Sequence, residues 1–241
     1  MSIILNVQTN NVETAVEVSR RYPTRIVIGV TAKDFPDLDD GIALIRRMQD
    51  GGVLVSAGLG DGAADQWQRA LNLASATSPF HLNQIFPAAG LSQRILADAG
   101  ASTIVNGLVR PTSRIGGVLV GTGPASSRYT DEELSAGLAA DLLQEVGVNS
   151  IKLFPMEGVR QLDQLRAVAQ EAAGRGMMIE PTGGLTPQNL PVILEACLEA
   201  GARCVMPHLY SSVKDPRTKD LDLALVAEAM VVIDRYLNRD G

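Results

Sequence analysis

The stretch SIKLFPMEG, residues 150–158, is a short apolar run that ends at a proline and carries a lysine in its middle. Successive side chains of a strand point to opposite faces, so Ile151 and Leu153 share one face and Lys152 and Phe154 share the other. Apolar residues on both faces predict a strand that is covered on both sides. A lysine is almost never fully buried unless another group pairs with it or uses it. The surroundings of Lys152 therefore decide what this strand does.

Seven further runs rich in Val, Ile and Leu occur along the chain, and most are followed by a polar turn and an amphipathic stretch. This alternation is the βα pattern of an α/β protein. Eight such units in a chain of 241 residues predict a (β/α)8 barrel, the TIM barrel, whose usual length is about 250 residues. An open doubly wound sheet is the alternative, but its first βα turn often carries Gly-x-Gly-x-x-Gly, which residues 31–34 lack. The predicted strands are 25–30, 52–58, 80–86, 102–108, 116–122, 150–155, 177–182 and 203–209.

Two irregularities are expected in this barrel. The connection VRPTSRIGG, residues 109–117, is too short for a full crossover helix, so the link between the fourth and fifth predicted strands is reduced to a loop. An extra helix is predicted before the first strand, around residues 11–22. No linker or change of composition divides the chain, which predicts one barrel domain over residues 1–241.

Composition and charge limit the partners. An apolar fraction of 46% supports a large core, while a net charge of −6 argues against nucleic acid or anionic membrane as a main partner. A small anionic substrate is compatible with this charge, because a local site can be positive on an acidic protein. Cys197 and Cys204 have no metal-ligand spacing and are interpreted as reduced core thiols. No signal peptide or transmembrane run is recognisable, so a cytoplasmic location is expected.

Lys152 has the position of a catalytic residue. In a TIM barrel the active site lies at the C-terminal ends of the strands, and Lys152 lies near that end of the sixth predicted strand. An unperturbed lysine is neutral in only about one molecule in a few thousand at pH 7, but burial lowers the pKa by up to roughly 3 to 5 units. A buried Lys152 is therefore suited to attack a ketone and form a Schiff base. The alternative is a structural role, in which Lys152 pairs with a buried carboxylate.

The segments SIKLFPMEG (150–158) and IEPTGGLTPQNL (179–190) resemble the Lys-x-Phe-Pro and Pro-Thr-Gly-Gly segments of a known enzyme family. These are the Schiff-base-forming aldolases that cleave 2-keto-3-deoxy-6-phosphogluconate or 4-hydroxy-2-oxoglutarate. The segments are most similar to a divergent branch associated with amino-sugar-acid catabolism. The resemblance implies a (β/α)8 barrel, pyruvate and an aldehyde as products, and Lys152 as the Schiff-base residue. It also implies assembly into a homo-oligomer.

The general acid and base is left open by the sequence. Better-known family members carry a glutamate on the second strand, whereas the second strand predicted here ends SAGLGDG, residues 56–62, without one. Glu180 follows on the strand beside Lys152 and is a candidate proton shuttle, with a structural ion pair as the alternative. Asp61 ends the second predicted strand, where proton transfer competes with a helix N-cap role.

Anion binding is predicted at the loops after the last two strands, where TIM barrels commonly bind phosphate. Backbone N–H groups in a glycine-rich turn can approach an anion just before a helix begins near Thr186. The alternative for the glycine pair is a simple turn. The predicted anion-binding residues are Thr182, Gly183, Gly184, His208, Ser211 and Ser212.

The carboxylate of a keto acid needs its own partner. Arg110, in NGLVRPT, offers a planar fork for a carboxylate, although Arg114 competes for this role and a solvated or subunit-contact role is the alternative. Asn83, on the third predicted strand, is expected to point inward and orient the substrate.

Rival functions fit less of the sequence. A metal-dependent aldolase needs clustered ligands, but the only histidines are His81 and His208 on distant strands. An isomerase or epimerase would explain the glycines but not Lys152. A barrel that only binds a sugar phosphate is the non-enzyme alternative. The prediction is a class I aldolase without metal or cofactor that acts on a 2-keto-3-deoxy acid, with 4-hydroxy-2-oxoglutarate as the alternative substrate.

Overall fold

Parallel strands form a ring in the computed structural model, which describes residues 1–238, and helices cover the outside of the ring. The strands are β1 (Ser2–Ile3), β2 (Leu5–Gln8), β3 (Ile26–Thr31), β4 (Val55–Gly58), β5 (His81–Ile85), β6 (Ile104–Pro111), β7 (Gly117–Leu119), β8 (Leu134–Ser135), β9 (Ser150–Leu153), β10 (Met178–Pro181) and β11 (Cys204–Val205). The helices are α1 (Val12–Arg21), α2 (Leu38–Asp50), α3 (Trp67–Thr77), α4 (Phe86–Asp98), α5 (Ala136–Glu145), α6 (Leu162–Gly174), α7 (Leu190–Glu199) and α8 (Leu223–Leu237).

The ring is closed by its first and last strands. β1 and β2 are one extended segment interrupted at Ile4; β1 pairs in parallel with β11, and β2 pairs in parallel with β3. The pairing continues past β11, because Asn6 N donates to the carbonyl of Pro207 (3.0 Å) and Leu209 N donates to the carbonyl of Asn6 (2.9 Å). Between these ends the order is β11, β10, β9, β6, β5, β4 and β3. The prediction of a (β/α)8 barrel is confirmed.

One predicted strand lies outside the barrel and one barrel strand was not predicted. The predicted strand 116–122 contains β7, which lies beside the ring. β7 pairs antiparallel with the end of β6 and with β8. The barrel strand, or stave, that was not predicted comprises residues 2–8, where the buried Asn6 and the half-buried Gln8 interrupt the apolar pattern. Both side chains alternate toward the barrel interior.

Two further details of the prediction are therefore wrong. The helix expected as an addition before the barrel is α1, the ordinary first crossover between β2 and β3. The connection predicted to be short follows β6, the fifth stave, and forms a long crossover over residues 112–149 that contains β7, β8 and α5. Residues 239–241 of the predicted domain lie outside the described residues.

The helices begin at residues suited to that position. Asn11 caps α1 by accepting hydrogen bonds from the backbone N–H groups of Glu13 and Thr14. Asp222 caps α8 in the same way. None of the helices within residues 1–238 is long and apolar enough to cross a membrane.

The barrel interior is divided along its axis. The N-terminal end is filled by an apolar plug in which Val27, Met178 and Met206 are buried. Toward the C-terminal end the interior becomes polar, and the pairing of β9 with β10 places Lys152 opposite Glu180. Because the active site of this fold lies at the C-terminal ends of the strands, catalytic side chains are expected in the polar half.

Candidate active site

A cavity of about 240 Å³ opens at the C-terminal end of the barrel. Lys152 lies on its wall together with Asn83, Phe154 and Tyr210. The cavity is about the size of a small ligand, and its wall combines apolar and polar groups, as small-molecule sites usually do. The geometry thus gives Lys152 an open space beside it.

Lys152 is buried but has no ionic partner among residues 1–238. The residue is 6% exposed, and no carboxylate of the described residues lies within ion-pair distance of its ammonium nitrogen. Nζ donates to Asn83 Oδ1 at 2.6 Å and lies 3.4 Å from His208 Nδ1. Burial lowers the pKa of Lys152 to about 8, against the attraction of Glu180. About one molecule in ten is then neutral at pH 7, roughly 300 times more than for an unperturbed lysine.

The two contacts of Lys152 also set the direction of its lone pair. A neutral amine has two N–H groups, and Asn83 Oδ1 and His208 Nδ1 can accept one each. The remaining lone pair is then free to face the cavity. A structural lysine would instead be held by a carboxylate, so this arrangement favours nucleophilic use of Lys152.

Glu180 lies at the centre of a buried hydrogen-bond network below the cavity. Its Oε1 accepts from His81 Nε2 (2.9 Å) and Ser150 Oγ, and its Oε2 accepts from His208 Nε2 (2.9 Å) and Asn106 Nδ2 (2.7 Å). Burial alone would raise the pKa of Glu180, but the hydrogen bonds from the two histidines help to hold it well below its usual range. The carboxylate is fully buried and does not line the cavity. This placement does not support direct proton exchange between Glu180 and a substrate.

The network fixes the protonation pattern of His208. Because Glu180 is a carboxylate, His208 Nε2 carries the proton that it donates to Oε2. Burial and the charge of Lys152 lower the pKa of His208 to about 3 despite Glu180, so the ring is neutral. Its Nδ1 is then an acceptor that faces both Lys152 Nζ and Tyr210 Oη, the latter at 3.1 Å.

Asn83 is oriented by a second set of contacts, as expected for a residue that positions the site. Its Nδ2 donates to Ser56 Oγ at 2.9 Å, which leaves Oδ1 to accept from Lys152 and from Asn106 Nδ2 at 3.0 Å. Ser56 also contacts His81 Nδ1 at 2.8 Å. Within residues 1–238, no group of three or more His, Cys, Asp or Glu side chains is arranged to hold a metal ion.

Asp61 lies at the cavity mouth rather than beside Lys152. It follows β4, which corresponds to the predicted strand 52–58 and is the third strand of the barrel rather than the second. The carboxylate is 85% exposed and forms an ion pair with Lys33. The N-cap alternative also fails, because α3 begins at Trp67 after Gln66.

The two glycines after β10 permit a close approach between two loops. Gly183 and Gly184 have φ values of 104° and 71°, and Gly158 N donates to the carbonyl of Gly183 at 3.0 Å. A Cβ on Gly184 would lie 2.5 Å from Gly158 N. Both glycines line the cavity, so their backbone is also available to a ligand.

Replacing Gly184 with alanine is expected to destabilise the protein by about 1 to 3 kcal/mol, because the left-handed backbone and the contact with Gly158 both oppose a Cβ. The measurement is the free energy of unfolding in urea. Gly174→Ala is the matched control, since Gly174 lies in α6 with nothing near its Cβ position, and we expect it to be neutral or slightly stabilising. Equal effects of the two changes would contradict the packing argument.

The other predicted residues divide into two groups. Thr182 and Ser211 line the cavity, and His208 lines it from below, beside Lys152 rather than in an outer anion site. Arg110 and Ser212 are not among the lining residues, so their placement does not support the predicted substrate contacts.

Sequence reasoning missed several cavity residues. Gln8 lies in the barrel strand that was not predicted, and Thr31 lies one residue beyond the end of the predicted strand 25–30. Lys214 lies in a loop without a motif. Tyr210 had a usable signal, because the period-two alternation places it on the same face as His208.

Solved structures share the fold of this chain. KGPDC from Streptococcus mutans aligns with a TM-score of 0.62 at 12% identity, over 98% of this chain and 99% of that chain. Deoxyribose phosphate aldolase from Aeropyrum pernix aligns with a TM-score of 0.54 at 14% identity, over 85% and 84% of the two chains. At these identities the likeness concerns the fold alone.

Sequence comparison is more specific. A Salmonella typhimurium protein described as 2-dehydro-3-deoxy-phosphogluconate aldolase is 38% identical over 218 residues, which cover 90% of this chain and 88% of that protein. Residues 1–217 match the sequence model of the KDGP aldolase family. Since this match spans most of the barrel, and an aldolase is a lyase, the chain belongs to the KDGP aldolase family of lyases.

Proposed function

We propose that this protein is a class I aldolase that reversibly cleaves a 2-keto-3-deoxy sugar acid, phosphorylated at carbon 6, into pyruvate and glyceraldehyde 3-phosphate. Membership of an aldolase family supports carbon–carbon cleavage, and the name of the Salmonella relative supports this class of substrate. The resemblance of the Lys152 and Gly183 segments to the branch linked to amino-sugar-acid catabolism supports a role in carbohydrate breakdown.

The observation that carries the proposal is the state of Lys152. It is buried, borders an open cavity and has no carboxylate partner in the part of the chain that the structure describes. Its neutral amine attacks the keto carbon of the substrate, and loss of water together with uptake of one proton from solvent gives a protonated Schiff base. The positive nitrogen then accepts the electrons of the bond that breaks between carbons 3 and 4. This chemistry needs an amine that is neutral and accessible, and the lowered pKa of Lys152 and the open cavity beside it support both conditions.

The anionic ends of the substrate are proposed to bind at the mouth of the cavity. Gly183 and Gly184 offer backbone groups there, and Ser211 offers a hydroxyl. Lys214 adds a positive charge to the same wall, with the amide oxygen of Gln8 at 3.4 Å as its hydrogen-bond partner and no carboxylate of residues 1–238 in ion-pair range. A phosphate between these groups would be held by hydrogen bonds and one charge.

Trapping with borohydride tests the Schiff base. The protein is incubated with pyruvate and sodium borohydride, and the adduct is located by mass spectrometry after digestion. The chain has only four lysines, Lys33, Lys152, Lys214 and Lys219, so the adduct can be assigned to one peptide. An adduct confined to Lys152 supports the proposal, and an adduct on none or on another lysine refutes it. Turnover of phosphorylated and unphosphorylated keto acids then measures the contribution of phosphate.

The rate of Schiff-base formation is expected to follow the protonation of Lys152. The pKa of Lys152 in the free enzyme is about 8. The rate of trapping with pyruvate should therefore rise about tenfold per pH unit below pH 8 and level off above it. The measurement is the initial rate of adduct formation with cyanoborohydride from about pH 6 to pH 10. A rate that keeps rising to pH 10 would show that burial does not lower the pKa of Lys152.

A further inference from the structure

An aldol cleavage needs a group that takes a proton from the substrate and later returns one, and the two carboxylates suggested by the sequence are poorly placed for this. Glu180 is enclosed by four donors, and Asp61 is exposed and paired with Lys33. The phenol of Tyr210 borders the cavity beside Lys152, and its oxygen lies 3.1 Å from His208 Nδ1.

We propose that Tyr210 and His208 form the proton relay of this site, in which Tyr210 exchanges protons with the substrate and His208 Nδ1 exchanges protons with Tyr210. The proposal rests on the Schiff-base function of Lys152. It assigns the acid and base roles to a tyrosine and a histidine rather than to a carboxylate.

Schiff-base formation itself makes His208 available to Tyr210. The free amine of Lys152 has two N–H groups, which contact Asn83 Oδ1 and His208 Nδ1. A protonated Schiff base has only one N–H, and the shorter contact, 2.6 Å to Asn83, is the one that it keeps. His208 Nδ1 then loses its contact with the lysine nitrogen and can accept the hydroxyl proton of Tyr210.

The cleavage step balances through this relay. The proton of the carbon-4 hydroxyl passes to the Tyr210 oxygen as the Tyr210 proton passes to His208 Nδ1. The electrons of that O–H bond form the aldehyde carbonyl, the bond between carbons 3 and 4 breaks, and its electrons form the enamine and neutralise the nitrogen. After the aldehyde leaves, the relay runs backward and delivers the proton to carbon 3. Water then releases pyruvate and Lys152.

The relay keeps the charge of the buried cluster constant. Before cleavage the positive charge is on the Schiff-base nitrogen, and after cleavage it is on the His208 ring, while Glu180 stays a carboxylate hydrogen-bonded to Nε2 at 2.9 Å. The charge of Lys152 lowers the pKa of His208 and Glu180 raises it. Burial lowers the pKa of His208 throughout, but once the nitrogen is neutral the charge at position 152 no longer adds to this effect, which favours protonation of His208 at the stage that needs it.

The backbone of β3 leaves room for the phenol. Gly29 faces Tyr210, and a Cβ at this position would lie 3.2 Å from the hydroxyl oxygen. The glycine therefore lets the hydroxyl reach His208 from the cavity wall.

Tyr210→Phe tests the relay through the exchange of the methyl protons of pyruvate in D₂O. This exchange needs both the Schiff base and a base that removes a proton from carbon 3, but it does not need the natural substrate. We expect the variant to retain the borohydride adduct at Lys152 and to lose at least about 100-fold in exchange rate. Tyr129→Phe is the matched control, because Tyr129 is exposed and does not line the cavity, and it should exchange like wild type.

The outcomes separate the two proposals. If wild type forms no adduct, the Schiff-base function fails, and the relay fails with it. If Tyr210→Phe forms the adduct and exchanges within about threefold of wild type, the relay is wrong and the Schiff base stands. If the variant folds but forms no adduct, Tyr210 acts in imine formation instead, which also overturns the relay.

Discussion

Replacing Lys152 with methionine is expected to reduce aldol turnover by at least about 10⁴-fold and to abolish the pyruvate adduct, while the barrel stays folded. Methionine is similar in length but has no amine, so no covalent intermediate can form, and removing a nucleophile commonly has effects of this size or larger. The measurements are pyruvate release from the phosphorylated keto acid and intact mass after borohydride treatment.

The same change is expected to stabilise the protein at neutral pH. Asn83 Oδ1 and His208 Nδ1 keep a second donor each, Asn106 and Tyr210, so the substitution leaves neither acceptor unpaired. The pKa of Lys152 falls from 10.5 to about 8 on folding, and a shift of this size corresponds to roughly 3 kcal/mol against the folded state. Methionine removes this penalty.

The sign of this effect follows from proton binding. Because the unfolded chain binds the proton more tightly, wild type carries the full penalty below pH 8 and loses it as the pH rises from 8 to about 10.5. The advantage of Lys152→Met in urea unfolding should therefore be largest below pH 8 and shrink above it. Lys219→Met, at an exposed position outside the cavity, is the control and should change neither activity nor this pH dependence. A destabilised Lys152→Met variant at pH 7 would show that the lysine has a structural role.

Replacing Glu180 with alanine is expected to have the largest effect on stability, a loss of about 3 to 5 kcal/mol. The change leaves four buried donors without their acceptor, and removing one member of a buried charged network commonly has effects of this magnitude. The measurement is the free energy of unfolding in urea at pH 7. Glu132→Ala, at an exposed position, is the control and should change stability by less than about 0.5 kcal/mol.

Glu180→Gln distinguishes the hydrogen bonds from the charge. Glutamine keeps one acceptor oxygen for His208 and Asn106. Ser150 can rotate its hydroxyl and His81 can carry its proton on Nδ1, facing Ser56, so that both accept from the new amide. We therefore expect less than half the stability loss of the alanine variant. Since Glu180 raises the pKa of Lys152, the glutamine variant should form the pyruvate adduct with a midpoint below pH 8. Equal losses from the two variants, with an unchanged midpoint, would contradict the network described above.

The sequence was most informative where a local pattern had one physical solution. A lysine inside an apolar run that ends at a proline predicts a buried amine at the end of a strand, and Lys152 is found there. The alternation along β10 also places Glu180 beside Lys152, and the register of the two strands agrees.

The roles around Lys152 were harder to predict because they depend on several strands at once. The state of Glu180 is set by donors from β5, β6 and β9 and from the segment after β11, and no local pattern shows that these converge. The position of His208 beside Lys152 could not be predicted for the same reason. The first strand of the barrel was not predicted because the buried polar residue Asn6 interrupts the apolar pattern of a short segment.

The contact between the first and last staves has a kinetic consequence. Asn6 Nδ2 donates to Met206 Sδ, 200 positions later in the chain, and the segment after β11 that carries Met206 also brings His208 to Lys152. Contacts between such distant segments form slowly during folding, because a long loop must close first. Until β11 pairs with β1, the barrel is open and His208 is not yet beside Lys152. Activity should therefore return after denaturation only when this last pairing forms.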